Sequence, residues 1–465
     1  MLAKIKRRIL LSQLAKQTPH RLLELSGLRL LKAFRRAARV SPAYRRLLSE
    51  HGVELATIGD ADQLRARVPV LEKSDLFERF SIDELLSDGT LPATLANVLT
   101  SSGHGGRSFA FGVSTRRQFD RTPEDIDLGL QLAFDIDHHS TLLINCLPMG
   151  VVFASRSVCV ANVSVREDMA LAIARQAGPL FGQRILCVDP LFLKRLLDHS
   201  DEQAFDWSSQ RTHVILGEET FSEDYRSYVA ARLGFDPDNP ANALIGSSMG
   251  VGELGLNLFF ETRETIDLRR AAHRADRDAV LPSYFCFNPL RCFVEIVSPD
   301  AHGVGDLVVT MLDRESPVPM VRYRTGDRAR WLADEDLSVL ADPEREAIGR
   351  LPFPVLAMLG RERDRIGAEW HVDHFKALLY RDHDVAEQLS GAFRVEEVQG
   401  QLDWHVQLRR GAQHAREQVE TALNALAGDM AGRRGVRKPR VRCFGYADFP
   451  HGMGLDYERK FRYRG

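Results

Sequence analysis

The chain has 465 residues, 44% of them hydrophobic, which is enough to bury two or three cores. Its 62 Lys and Arg against 64 Asp and Glu leave a formal net charge of -2, so no global charge calls for a nucleic-acid partner. The six cysteines, Cys146, Cys159, Cys187, Cys286, Cys292 and Cys443, lie far apart with no C-x-x-C pair, which suits reduced thiols and a cytoplasmic protein better than a disulfide framework or a zinc knuckle.

The N-terminus is basic, but its apolar run after Arg8 is broken by Ser12, Gln13 and Lys16, too short for an export signal. No window reaches the roughly 18 consecutive apolar residues of a membrane span. Residues 1–85 read as helices, with Leu22, Leu23, Leu25, Leu28, Leu31, Phe34, Ala37 and Ala38 near the helical period and Pro42 and Pro69 as punctuation. From about residue 95 to 330, short apolar runs (141–147, 184–188, 213–216, 243–245) alternate with helical stretches (166–177, 222–233). That spacing predicts an α/β fold with mostly parallel sheets. Residues 292–297, 306–311 and 328–332 predict an antiparallel, β-barrel-like section, separated by Gly303, Gly305 and Pro317. The last hundred or so residues predict a small α+β domain with strands over 393–398 and 402–408 and a helix over 414–426. The basic run Arg433 to Lys438 reads as a solvated face.

Thr100-Ser101-Ser102-Gly103-His104-Gly105-Gly106-Arg107-Ser108 has the composition of a polyphosphate cradle: glycines free the backbone N–H groups, and Arg107 adds a fork of donors. It lacks the Walker spacing, and taken alone it equally fits a surface linker. Gly250-x-Gly252-x-x-Gly255 matches a dinucleotide fingerprint, yet the run continues as Leu256-Asn257-Leu258-Phe259-Phe260, which reads as a strand where the fingerprint needs a helix. Glu253, a carboxylate among glycines, is then a candidate Mg²⁺ ligand or an ordinary turn acid. Val321 to Asp327 predicts a short strand ending in Thr325-Gly326-Asp327, where a carboxylate at a sharp turn could take both hydroxyls of a ribose. On its own the tripeptide fits a polar turn closing a hairpin better than a ribose site. Downstream lie the step Gly360-Arg361-Glu362-Arg363-Asp364-Arg365-Ile366 and a terminal Lys460.

Taken in order, these pieces resemble the adenylate-forming superfamily of acyl-CoA synthetases and adenylation domains, and most closely its phenylacetate-CoA ligase-like branch. Ser102 to Ser108 is similar to the family's phosphate loop, with His104, Gly105 and Arg107 as departures. Leu216-Gly217-Glu218-Glu219 is similar to its adenine-side Gly-Glu motif. Met249-Gly250-Val251-Gly252-Glu253 resembles Tyr-Gly-x-Thr-Glu, with Gly252 in place of the Thr. Thr325-Gly326-Asp327 matches the ribose motif unchanged, and Gly360 to Ile366 matches the hinge. Ser41 to Arg45 and Val68 to Leu76 are similar to helical signatures of the branch.

The resemblance implies an adenylate-forming enzyme fold, with an N-terminal adenylation domain (1–360) and a small mobile C-terminal domain (361–465). It implies ATP, Mg²⁺ and coenzyme A as cofactors, and a reaction in which an acid becomes an acyl-adenylate and then a thioester. Ser102, Gly103, Gly105, Gly106, Arg107, Gly217, Glu218, Gly250, Asp327 and Arg361 would bind the nucleotide. Glu253 would hold the metal, Lys460 would act at the reacting carboxylate, and Asp364 would be the hinge. Pro148, Met149, Gly150, Ser247 and Ser248 outline a compact slot suited to a small aromatic acid. No nucleic-acid partner and no membrane span are expected, and the chain is expected to be a monomer or homodimer. A nicotinamide enzyme, a catalytically degenerate relative, and an adenylating enzyme with an acceptor other than coenzyme A stand as alternatives.

Overall fold

In a computed structural model that describes residues 2–100, 109–148, 150–239, 241–452, 457 and 460–465, the first segment is helical. Helices run over Leu2–Leu14, Pro19–Val40 and Pro42–Glu50. Thr18 caps the second by accepting from the Arg21 amide, with Pro19 at a position where no N–H is missed. Ser41 ends that helix and caps the next, accepting from the Tyr44 amide. The buried stripe of the long helix is Leu22, Ser26, Leu30, Ala33, Phe34, Ala37 and Ala38. Leu28, expected in that stripe, is 62% exposed because it lies across the helix from Leu22 and Leu30. The segment is stitched to the sheet by Tyr44, whose hydroxyl accepts from the Val321 amide (2.7 Å), and by Leu71, whose amide donates to Arg322 O (2.9 Å).

A hairpin of β1 (Leu95–Thr100) and β2 (Phe111–Thr115) leads into the main sheet. There β3 (Thr141–Asn145), β4 (Cys159–Asn162), β5 (Gln183–Val188), β6 (Thr212–Leu216) and β7 (Ile245–Val251) pair in parallel in the order β4-β3-β5-β6-β7. Helices Glu167–Gln176, Pro190–Glu202 and Glu223–Arg232 connect them. Every residue of β3 and β5 is buried, as expected for parallel strands covered on both faces.

The sheet continues antiparallel through β8 (Gly255–Phe260), β9 (Ser283–Phe287), β10 (Cys292–Val297), β11 (Gly305–Met311), β12 (Tyr323–Trp331) and β13 (Val355–Gly360). It has 11 strands, with β10 at one edge and β4 at the other. The expected antiparallel section is therefore present, but as an open extension of the α/β sheet; among the described residues no barrel closes. Beyond it, β14 (Arg365–Ile366) and β15 (Trp370–His371) form a short pair. A final three-stranded sheet contains β16 (Leu389–Val398), β17 (Gln401–Leu408) and β18 (Arg440–Phe444). Helix Arg416–Arg434, ended by Gly435 at φ 64, crosses from β17 to the parallel β18.

Two cores matter for the site. One joins the N-terminal helices to the antiparallel strands around Phe34, Tyr44, Phe259 and Phe287. The other runs from Ile144, Leu186 and Val214 through Tyr225 and Tyr228 into Phe375, Tyr380, Phe393 and Trp404, so the parallel sheet and the terminal sheet share one apolar cluster.

Gly250 lies on β7 where β8 turns back against it, and a Cβ there would stand 2.8 Å from Leu256 Cα and 3.0 Å from Gly255 O. The glycine pattern thus makes a tight strand-turn-strand with no helix following, which removes the dinucleotide reading. Gly250→Ala is expected to destabilise the chain by about 1–3 kcal/mol, because backbone must move to admit the methyl. A chemical-denaturation midpoint equal to the parent's would show that the hairpin yields freely.

Candidate functional site

The carboxyl ends of the parallel strands carry half of the predicted contacts among the described residues, in the crevice where open α/β sheets place ligands. Pro148 and Gly150 follow β3, Asp189 follows β5, Gly217 and Glu218 follow β6, and Ser247 and Ser248 lie on β7. Gly150 (φ 68) and Glu218 (φ 69) hold left-handed backbone at these exits. The Ser247 amide donates to Glu261 Oε2 (2.8 Å), and Ser248 Oγ donates to Asn257 Oδ1 (2.8 Å), so both are engaged by β8 and its exit. Ser102, Gly103, Gly105, Gly106 and Arg107 lie outside the described residues, as does Met149. The strands on either side of residues 101–108 are paired, Thr100 opposite Phe111. Next to Phe111, Gly112 runs against the Glu253 turn, where a Cβ would be 2.4 Å from Gly252 O.

Two clusters form around this crevice. In the first, Glu253 Oε1 accepts from the Tyr323 hydroxyl, while Oε2 is buried with no hydrogen-bond partner among the described residues. Burial, with the Glu253 carboxylate beside it, pushes the Tyr323 hydroxyl well above its usual range and keeps it a donor. Asp327 Oδ1 accepts from Arg361 Nε at 3.0 Å, and Oδ2 is likewise buried and unpartnered. A buried carboxylate oxygen left without a donor is costly unless a ligand satisfies it. Glu253 and Asp327 each keep one such oxygen while the other is held in place. These residues fit a divalent cation at Glu253 and a hydroxyl donor at Asp327.

Thr325-Gly326-Asp327 does not end a strand, as the sequence suggested. It is a bulge inside β12: Arg324 pairs with Val308 and Arg328 with Asp306, so three residues of β12 oppose Leu307 alone. Gly326, at φ 84, supplies the backbone conformation this requires.

In the second cluster Lys460 Nζ lies 3.0 Å from Glu218 Oε2 and donates to Glu218 O at 3.2 Å, joining residues 242 apart in the chain. Beside it, Glu219 Oε2 accepts from Tyr463 OH (2.8 Å) and pairs with Lys376 Nζ (3.2 Å). Lys376 also donates to Thr220 O (2.7 Å). Asp189 belongs to the same group; burial, reinforced by Glu219 and Glu218, pushes its carboxyl up to about 8. The step from Arg361 to Asp364 joins the clusters, since Arg361 holds Asp327 while Asp364, raised by burial, feels the Lys376 charge. Arg464 Nη1 ties that step to the chain's end, donating to Arg363 O (3.0 Å) and Arg365 O (2.6 Å).

Sequence reasoning missed Asp189, Glu219, Tyr323, Lys376 and Tyr463 as site residues. Glu219 and Tyr323 stood inside motifs already singled out; Asp189 and Lys376 carry no local signal, because only the packing of the terminal segment makes them neighbours. The basic run is used structurally: Arg433 pairs with Asp278 at 2.5 Å and Arg434 donates to Glu369 O at 2.5 Å. A cavity of about 230 Å³ holds none of the predicted residues. Its guanidiniums are paired, Arg270 with Asp238 at 2.8 Å and Arg277 with Asp224 at 2.8 Å.

No family model and no curated relative matches this chain. Solved structures do. A 2-hydroxyisobutyryl-CoA ligase in its postadenylation state with 2-HIB-AMP superposes with a TM-score of 0.66 at 14% identity, over 96% of this chain and 89% of the ligase. The same ligase in an open conformation with 2-HIB-AMP and CoA gives 0.56 at 15% identity, over 96% and 91%. In its thioesterification state it gives 0.53 at 14% identity, over 95% and 89%. The chain therefore has the fold of the adenylate-forming enzymes.

Asp189 makes stability depend on pH. The unfolded carboxyl loses its proton near 4, whereas the folded one keeps it to about 8, so between these values the native state binds the extra proton and stability falls as pH rises. Asp189→Asn keeps a cap for the Phe192 amide and carries no charge. It is expected to raise the thermal midpoint over the parent at pH 8 by more than at pH 4; an equal difference at both pH values would place the proton elsewhere.

Proposed function

We propose that this chain activates a carboxylic acid with ATP, forming an acyl-adenylate and releasing pyrophosphate, and then passes the acyl group to the thiol of coenzyme A. The observation that carries this reading is the meeting of Lys460 with the Gly217-Glu218 exit of β6, which brings a cation from the end of the chain to the nucleotide side of the crevice. The ligase of the same fold was solved with an acyl-AMP and with CoA, which supports both half-reactions. Its postadenylation state superposes more fully than its thioesterification state, 0.66 against 0.53, which supports assigning the present Lys460 position to the first half-reaction.

In that step a carboxylate oxygen bonds to the α-phosphorus of ATP while the bond to pyrophosphate breaks. Bringing two anions together demands positive charge and alignment rather than a covalent nucleophile. Lys460 supplies a cation at the reacting carboxylate, with Glu218 holding its ammonium ready. Asp327, aimed by Arg361, accepts from ribose hydroxyls through its free Oδ2. Ser102, Gly103, Gly105, Gly106 and Arg107 cradle the β- and γ-phosphates. Mg²⁺ held by Glu253 Oε2 would neutralise triphosphate charge. Tyr323, protonated and donating to Oε1, keeps that carboxylate turned towards the site.

Pro148, Met149, Gly150, Ser247 and Ser248 border the acid's slot, and the small apolar segment after β3 favours a compact aromatic acid. Residues 361–465 form a mobile domain whose hinge is Asp364; turning about it withdraws Lys460 and admits the thiol, which displaces AMP.

Pyrophosphate exchange into ATP across a panel of carboxylic acids tests this function, and absence of exchange with every acid would remove the ligase reading. With an accepted acid, Lys460→Ala is expected to slow adenylate formation by about 10²–10³-fold, the range for loss of one transition-state donor. Thioester formation from supplied acyl-adenylate should largely survive; equal loss in both assays would count against the assignment. Glu253→Gln is expected to raise the Mg²⁺ concentration needed for half-maximal exchange, and an unchanged Mg²⁺ dependence would return Glu253 to a structural turn.

A further inference from the structure

The terminal sheet carries a second group of ligand-type side chains that the ligase reading does not use. Glu396 on β16 and His405 on β17 share one face, since Arg394 is the direct partner of His405 and Glu396 lies two residues on. His451, in the segment after β18, folds over that face. His405 Nδ1 and His451 Nε2 face each other at 2.9 Å, with rings 14° from parallel and centroids 5.2 Å apart. Glu396 Oε1 lies 3.8 Å from His451 Nδ1, and one ligand atom from each residue falls within 4.8 Å of the other two. We infer that Glu396, His405 and His451 form a binding site for a divalent transition-metal cation of the Zn²⁺ class.

The donor set carries the inference. Two imidazoles and one carboxylate from three separate segments of the chain are what Zn²⁺ takes in a three-ligand site. Nitrogens bound to one Zn²⁺ at about 2.0–2.1 Å in tetrahedral geometry stand roughly 3.3 Å apart, so the two rings would part by a few tenths of an ångström as well as turn. The two nitrogens share a hydrogen bond; a tetrahedral cation would lie off the line between them, and each ring would turn by roughly 35° to aim its lone pair at it. Phe449 packs edge-on to His451 at 5.4 Å and limits its swing. The charges facing the group are Arg394, 3.4 Å from Glu396 Oε1, with Arg442 and Asp403 acting on His405.

The position gives such a cation a task, a consequence that rests on the proposed function. Lys460 follows His451 by nine positions, 460 less 451. The returning arm is fastened to β16, where the Val395 amide donates to Tyr463 O (2.8 Å) and the Gly465 amide donates to Val395 O (3.0 Å). A cation on His451 and Glu396 would fasten the outgoing arm to the same strand, so that both ends of the Lys460 segment are fixed next to each other.

The test uses the full untagged chain, freed of metal with a chelator and titrated with Zn²⁺ by calorimetry and with Co²⁺ by visible absorption. One equivalent is expected to bind, with a tetrahedral Co²⁺ spectrum and a higher thermal midpoint on Zn²⁺ addition. His405→Ala and His451→Ala should each weaken binding by about tenfold or more, as should the gentler Glu396→Gln, which keeps the shape of the strand face. His138→Ala, at an exposed histidine paired with Asp135, should leave binding unchanged. Absence of stoichiometric binding, or binding equally strong in all three site variants, would overturn the inference. Because the readout needs no turnover, it stands or falls separately from the ligase activity.

Discussion

Arg226 is buried beneath the end of β7, and its guanidinium is shared between Glu223 at 2.9 Å and Glu261 at 3.1 Å while also donating to Ile245 O. Arg269 adds a second cation, 3.0 Å from Glu223, and donates to Phe221 O (2.8 Å) and Pro282 O (3.1 Å). Glu261 returns the connection to the strand by accepting from the Ser247 amide. Against the desolvation of burial, the two carboxylates hold Arg226 above its usual range, and the two guanidiniums hold Glu223 below its own. Loss of one member would leave an uncompensated buried charge, a change that costs about 3–5 kcal/mol. The network spans the exit of β6, the crevice end of β7 and the turn into β9, so the crevice walls are set by charge pairing as much as by apolar packing.

The two clusters above this base follow one rule. Each holds a carboxylate by one oxygen and leaves another group to be satisfied: Glu253 by Tyr323, Asp327 by Arg361, and Glu218 carrying Lys460. A fixed but incompletely satisfied acid is suited to a ligand because its reorganisation is already complete before binding. The bulge at Gly326 achieves this for Asp327, lifting it from the ladder while leaving it anchored between paired residues of β12. Gly112 and Gly250 do the same for Glu253 by letting two backbone segments close on its turn.

The proposed rotation of the terminal segment meets a physical constraint. Tyr380 stacks edge-on to Tyr225 at 4.7 Å and tilts over Tyr228 at 5.2 Å, within the apolar cluster shared by both sheets. Thr220 Oγ1 donates to Asp373 Oδ1 at 3.0 Å, and Arg381 pairs with Asp278 at 2.6 Å across the same boundary. The proposed turn about Asp364 would expose these rings and break these pairs, a loss that contacts made in the other orientation would have to offset.

Much of the fold was legible in the chain itself. β3 and β5 are continuous buried runs because parallel strands covered on both faces admit no polar alternation, and the helix Glu167–Gln176 shows its own period. The strand after Gly255 was legible for the same reason: Leu256 to Phe260 has strand chemistry and no helix start, so the glycine pattern could only be a turn. Other features depend on partners distant in sequence. The bulge at Thr325 to Asp327 exists only against Leu307, and nothing in the tripeptide distinguishes it from a strand-ending turn. The helix Glu223–Arg232 reads as polar, yet Glu223, Asp224 and Arg226 are buried, because Arg269, Arg277 and Glu261 supply the opposite charges from other elements. Lys460 and Glu218 meet across most of the chain. Local sequence sets backbone conformation and the side of an element that turns inward; which charges can be buried, and which cation reaches which carboxylate, was decided only by tertiary packing, because a charge is tolerated in the interior only where its partner arrives from elsewhere.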